Sequence, residues 1–199
     1  MEIFLEYIDK IGLSGIIIAI TAFLVGIKLP DWDFKLKLQH RSIVTHSPLL
    51  LFLLLELYRN QPSDIFRIFI GGVALSFGIH FIFDFFPKGW SRGALLHLPI
   101  AKIAFSKKIS ITLFLIFIVI SLYITIYMSK NFHEYIFFLL LAFWCFLKNI
   151  KKEEKFFRPF FLFMVIFFII GSFKFKELRN YKKIQKSYYK IEKQIKNLM

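Results

Sequence analysis

Long apolar runs, rather than alternation of apolar and polar positions, organise this chain. A membrane-crossing helix needs about 20 apolar residues, with a range of about 17–25. Residues 12–29 form one such run, and its interior IIIAITAFLVGI carries no charge. Residues 48–58 are apolar but too few to span, hold one acid (Glu56), and end in Arg59-Asn60-Gln61-Pro62. Residues 65–86 are long enough to span, with Arg67 near the start. Gly71, Gly72 and Gly78 on that run predict close approach of neighbouring helices. Residues 109–128 are the cleanest span. Residues 134–147 and 160–173 are again short. The pattern therefore predicts five or six transmembrane or half-spanning helices. The ten residues MEIFLEYIDK before the first run lack a basic stretch and a small-residue cleavage site, so that run reads as a retained anchor and not a signal peptide.

Composition agrees. Hydrophobic residues make up 57% of the 199, with 28 Phe, and the mean hydropathy is +0.62. Soluble domains average roughly 45–50% apolar with Gly counted in, so a soluble globular fold is disfavoured. The runs do not alternate, which excludes a membrane β-barrel and leaves an all-α polytopic membrane protein. The single Cys145 excludes a disulfide framework and a Cys-based zinc finger. Lys and Arg total 27 against 13 acids, a formal charge of +14. On so apolar a chain this basic excess marks loops facing anionic lipid, not a nucleic-acid groove.

From residue 174 the composition changes, with nine Lys or Arg and two Glu. Ile184, Tyr188, Ile191, Ile195 and Leu198 recur at spacings of 4, 3, 4 and 3. This reads as a basic amphipathic helix on lipid headgroups, with a protein-binding helix as the alternative. The organisation expected is thus a membrane-embedded domain over 1–128, further membrane helices over 129–173, and a basic tail over 174–199.

Polar residues gather in two places. One is Leu29-Pro30-Asp31-Trp32-Asp33 followed by Gln39-His40-Arg41 and Thr45-His46-Ser47; the other is Ser76, His80 and Asp84 inside an apolar run. Residues four apart share one helix face. His80 lies six residues before Phe86, about 9 Å below that end at 1.5 Å per residue. An imidazole and a carboxylate at that depth cost several kcal/mol unless paired or wetted. Either they tie two helices together by a hydrogen bond, or they hold a metal, as two residues four apart on a helix can. Topology favours the metal. If 12–29 and 48–58 cross in opposite directions, loop 30–47 and the end of the third helix reach the same membrane face. Asp31, Asp33, His46, His80 and Asp84 then meet, and mixed nitrogen and oxygen donors suit zinc, manganese or iron. Arg41 would hold a phosphate or carboxylate, or else face lipid. Thr45 would orient His46, and Ser47 would cap the next helix. Arg92 and His97 would edge the site. His133 and Glu134, in another loop, read as solvated.

These blocks resemble the YdjM-like family of bacterial inner-membrane proteins, described as membrane-bound metal-dependent hydrolases. Leu29-Pro30-Asp31-Trp32-Asp33, His40-Arg41, Thr45-His46-Ser47 and Gly78-x-His80-x-x-x-Asp84 carry the likeness, which covers about residues 12 to 128. One residue more than the family pattern separates Arg41 from Thr45, and Ser76 stands where the pattern has a glycine. A fainter similarity is to zinc-dependent phospholipase C, which also carries a helical His-x-x-x-Asp followed by Pro, as His80, Asp84 and Pro87 do here. The resemblance implies a bacterial inner-membrane location, a divalent metal (zinc, or manganese or iron) and hydrolysis, with His40 and Arg41 as catalytic residues. The natural substrate class is a lipid or lipid-linked phosphoester, with membrane lipids as partners and no nucleic acid. The competing expectation is a non-catalytic metal-binding scaffold or transporter component. Bare polar content in the last three helices disfavours transport.

Orientation follows from basic residues in short loops, which favour the cytoplasm. Loops 28–47, 87–108 and 148–158 hold four, five and five of them, whereas the other side, without the tail, has only Lys10, Arg59, Arg67 and Lys130. The site side is therefore expected in the cytoplasm. Placing the tail there too requires five crossings, with one short run failing to cross.

Overall fold

The computed structural model describes residues 12–90, 92–99, 103–149 and 156–196, with side chains for these except Arg92, Asn149 and those from 177 onward. The residues before 12, the loops near 100 and 150, and the seam from Ile184 to Leu198 thus lie outside the side chains described.

Among the described residues the protein is all-α, with strands limited to one short hairpin. The helices are α1 (Leu13–Gly26), α2 (Leu49–Asn60), α3 (Asp64–Phe85), α4 (Lys107–Met128), α5 (Phe132–Asn149) and α6 (Phe157–Lys196). A 3-10 turn, Pro30–Asp33, lies between α1 and α2. The hairpin pairs β1 (His97–Leu98) with β2 (Ile103–Ala104) between α3 and α4.

Hydroxyl caps set two starts. Ser63 Oγ accepts the Phe66 N–H at 3.1 Å to open α3, and Ser106 Oγ accepts that of Ile109 at 3.4 Å to open α4. Each satisfies a backbone donor that the first turn leaves without a partner. At the start of α2, Ser47 Oγ takes the Leu49 N–H at 3.4 Å.

Helix α3 is the centre of the bundle, buried on almost every side from Arg67 to Ile82. A helix apolar all round belongs inside a packed assembly, and its glycines let the neighbours in. A Cβ on Gly72 would stand 2.7 Å from the Ala19 carbonyl oxygen of α1, and one on Gly78 would stand 2.7 Å from Leu122 of α4. Phe77, Phe81, Phe114, Phe138, Phe146, Phe163 and Phe167 fill the interior. The outer faces are apolar too. Leu53, Leu140, Phe161 and Phe173 stand exposed, which in water would be large adhesive patches. Three helices are long and apolar enough to cross a membrane, namely α3, α4 and Phe157–Lys176 of α6, while α1 is apolar but shorter. This is a membrane protein.

Both ends of the bundle are fixed by contacts. Phe146 of α5 meets Phe83 near the C-terminal end of α3, and also Phe160 of α6. At the other end Tyr135 of α5 stacks on Phe167 of α6, and the Lys174 ammonium of α6 binds the carbonyls at the C-terminus of α4. Helices α5 and α6 therefore both run from end to end. Lys174 thus arrives at the end remote from His80. The tail is expected on the site side, whereas Lys174, at its start, lies at the opposite end of the bundle. The backbone of α6 continues helical to Lys196.

That remote end also corrects the reading of Glu134, which is buried, not solvated. Arg67 grips it bidentately, with Nη1 and Nη2 at 2.6 and 2.8 Å from its carboxylate. Arg67 Nη1 also reaches the Met128 carbonyl, and Asp64 pairs with Arg67 Nε at 3.3 Å. A charge among apolar helices needs such a partner.

Candidate metal centre

Loop 27–48, α3 and the hairpin converge at one end of the bundle. The loop is held from inside by Asp33, which is fully buried. Its Oδ1 accepts the Phe34 N–H at 2.7 Å. Its Oδ2 accepts the Arg41 N–H at 2.7 Å and faces His40 Nδ1 at 3.2 Å. These donors occupy the carboxylate, so in this geometry Asp33 shapes the loop and is not a free ligand.

Arg41 takes a left-handed backbone, φ 58°, a conformation that costs energy for a side chain this large. The hairpin and Asp33 hold it there. The His97 N–H donates to the Arg41 carbonyl at 3.0 Å, and the Ile43 N–H to the His97 carbonyl at 2.9 Å. So His97 braces the loop through its backbone. The Arg41 guanidinium is buried and engaged, Nη2 with Asp84 Oδ1 at 2.8 Å and Nη1 with the Ala94 carbonyl at 2.7 Å. It therefore positions Asp84 in this structure, where the sequence suggested a substrate clamp or a lipid-facing charge.

The imidazole protons can be assigned from their partners. His80 Nδ1 lies 3.0 Å from the Ile27 carbonyl, left without an intrahelical partner at the end of α1. A carbonyl only accepts, so Nδ1 carries a proton, and in the neutral ring Nε2 keeps a lone pair. His46 Nδ1 lies 3.1 Å from Thr45 Oγ1. Thr45 gives its own proton to the Ser42 carbonyl at 3.2 Å, so its oxygen accepts from His46 Nδ1. His46 Nε2 thus also presents a lone pair.

Both lone pairs face one oxygen. Asp84 Oδ2 lies 3.3 Å from His46 Nε2 and 3.4 Å from His80 Nε2. His46 Nε2 and Asp84 Oδ2 are buried and lack any hydrogen-bond partner. Three electron-rich atoms around one point repel unless a cation lies between them. A second proton on either imidazole would serve, as would a metal ion.

The distances suit a metal. Tetrahedral bonds of about 2.0–2.2 Å set neighbouring donor atoms roughly 3.3–3.6 Å apart. Asp31 Oδ1 lies 3.7 Å from His80 Nε2, and ligand atoms of Asp31, His46 and His80 all lie within 4.8 Å of one another. Asp31 is exposed at the mouth. Of the residues singled out in the sequence, Asp31, His46 and His80 form one group of possible donors and Asp84 adjoins both imidazoles, with Arg41 and Asp33 behind them. His40 stands beside them, its ring stacked on Phe34 and 5.9 Å from that of His46. The Arg92 side chain lies outside those described. Sequence reasoning missed the Ile27 and Ala94 carbonyls, since backbone acceptors carry no residue signature.

Comparison with models of protein families, with curated proteins and with solved structures finds no match.

Proposed function

We propose that this protein is a membrane-bound, metal-dependent hydrolase whose site opens at one membrane surface. The observation that carries the reading is the convergence of two imidazole Nε2 atoms on one buried carboxylate oxygen of Asp84. His46, His80 and Asp84 would hold the ion, with Asp31 and solvent at the exposed corner. Zinc suits two nitrogens and carboxylate oxygen, with manganese or iron as substitutes. Such an ion supplies a bound water acidified to a pKa of about 7 and a polarising charge for an ester or phosphoester.

The chain's own residues do the rest. Arg41 holds Asp84 by its other oxygen, so one oxygen stays turned to the centre. Thr45 and the Ile27 carbonyl fix the two ring orientations, a role that outer partners of ligating histidines commonly fill. Asp33 orients His40 through Nδ1, leaving Nε2 on a half-exposed side chain to accept or return a proton. The likeness to the YdjM-like hydrolases supports the same assignment, as well as a bacterial inner membrane with the site end in the cytoplasm and a lipid or lipid-linked phosphoester as substrate.

A scaffold is the second reading, and one observation favours it. Four protein donors can close a tetrahedral site, and closed sites are structural. The centre also fastens loop 27–48 to α3 and α1. Hydrolysis separates the two. Purified protein loaded with zinc should cleave phosphoester or ester probes in a chelator-sensitive way. His40→Ala should lower the rate while metal content stays unchanged. Undiminished metal binding with no hydrolysis of any probe would favour the scaffold.

A further inference from the structure

The loop that supplies Asp31 exposes apolar side chains where no helix spans. Trp32, Phe34 and Leu36 are 42%, 67% and 56% exposed. Lys28, Lys35 and Lys37 alternate with them and are exposed as well. The backbone is turned, not extended, because the Leu36 N–H bonds the Trp32 carbonyl at 2.9 Å. Trp32 and Leu36 therefore lie one turn apart on a common side. The Lys35 ammonium sits 5.2 Å from the centre of the Trp32 ring. Asp33, the loop's inner acid, is consumed in the interior, so the outer surface carries three lysines and apolar rings against one exposed acid, Asp31.

We propose that segment 28–37 inserts into the interface of an anionic lipid leaflet and brings the site mouth to lipid phosphate. Large apolar rings among lysines match that environment on both counts: the rings sit at the boundary of acyl chain and headgroup, and each basic residue there gains roughly 1 kcal/mol from anionic lipid. The patch is continuous with the site. Phe34 stacks on His40, with ring centres 5.0 Å apart, and Asp31 lies between Lys28 and Lys35 in the chain. A substrate presented this way is a membrane lipid with an anionic headgroup, entering sideways from the leaflet. That last step rests on the hydrolase reading; insertion of the loop does not.

The test uses full-length protein with Trp90→Phe and Trp144→Phe, leaving Trp32 as the fluorophore. It is reconstituted in phosphatidylcholine alone, or mixed with phosphatidylglycerol, each with brominated acyl chains that quench only nearby rings. The expected result is strong quenching of Trp32 in the anionic mixture and weaker quenching in phosphatidylcholine. A Lys28→Gln, Lys35→Gln, Lys37→Gln variant should lose the difference between the two lipids. Equal quenching in both lipids by the parent protein would overturn the proposal. So would emission typical of water with quenching by aqueous iodide, or shielding from both quenchers, which would signal a second copy on the patch. Metal content of the same samples is measured separately. Quenching without bound metal would defeat the hydrolase reading and leave insertion standing.

Discussion

Thr45 shows how a single hydroxyl can set the ring of a proposed metal ligand. It gives its proton to the Ser42 carbonyl, so it can only accept from His46, and the lone pair of His46 is thereby aimed inward. Thr45→Val keeps the shape and removes the acceptor. Loss of an outer partner of this kind typically costs 10–100-fold in metal affinity, and that is the expected result of a zinc titration on this variant. Asp33→Asn should act by another route. The amide puts donor hydrogens opposite the N–H groups of Phe34 or Arg41, and each buried donor left unpaired costs about 1–3 kcal/mol. Thermal unfolding in detergent should show a lowered midpoint. An unchanged midpoint would mean that the loop does not depend on Asp33.

At the scale of elements, α3 is held at both ends and in the middle by different means. Midway, Gly72 meets the backbone of Ala19, which cannot step aside. Gly72→Val should push α1 outward, at a cost of about 1–3 kcal/mol for overpacking. Because α1 carries the Ile27 carbonyl to His80, metal affinity should fall with stability. At the remote end, breaking a buried ion pair by removing one partner costs about 3–5 kcal/mol. Glu134→Gln and Arg67→Met should each destabilise strongly, and the double variant less than the sum of the two. Unfolding measured by tryptophan fluorescence checks this, and strict additivity would show that Arg67 and Glu134 are not coupled.

Much of this organisation was legible in the chain. The apolar runs gave the helices, because helix length against membrane thickness is a one-dimensional property. Gly72 and Gly78 were legible as close approaches, and His80 with Asp84 as a pair on one face. Arg67 and Glu134 illustrate what was not. Each is a lone charge near an apolar run, and each demands a partner, but 67 positions of chain separate them and only the packing of α3 on α5 joins them. Arg41 is similar. Its charge was plain, yet its engagement with Asp84 and Ala94 depends on a left-handed backbone that no residue type announced.

For the molecule as a whole, the course of α6 places Lys37 and Lys176 at opposite ends of the bundle. In a Cys145→Ser background, Lys37→Cys and Lys176→Cys should therefore differ in reactivity toward a membrane-impermeant thiol reagent on intact cells. With the site end in the cytoplasm, position 37 is protected and position 176 labelled. The fourteen basic residues of the three site-end loops favour that orientation, and the nine of the tail oppose it. Labelling at both positions, or at neither, would contradict that arrangement.

Metal binding by the purified protein is the most direct test of the site. Protein stripped with chelator and titrated with zinc in detergent should take up about one equivalent if the proposed centre holds a single ion. Cobalt in place of zinc should give the visible absorption of a tetrahedral ion. His46→Ala, His80→Ala and Asp84→Asn should each abolish or sharply weaken uptake, whereas Lys176→Cys should leave it intact. A folded parent protein that takes up no zinc, manganese or iron, or variants at His46, His80 and Asp84 that bind as tightly as the parent, would contradict the metal centre.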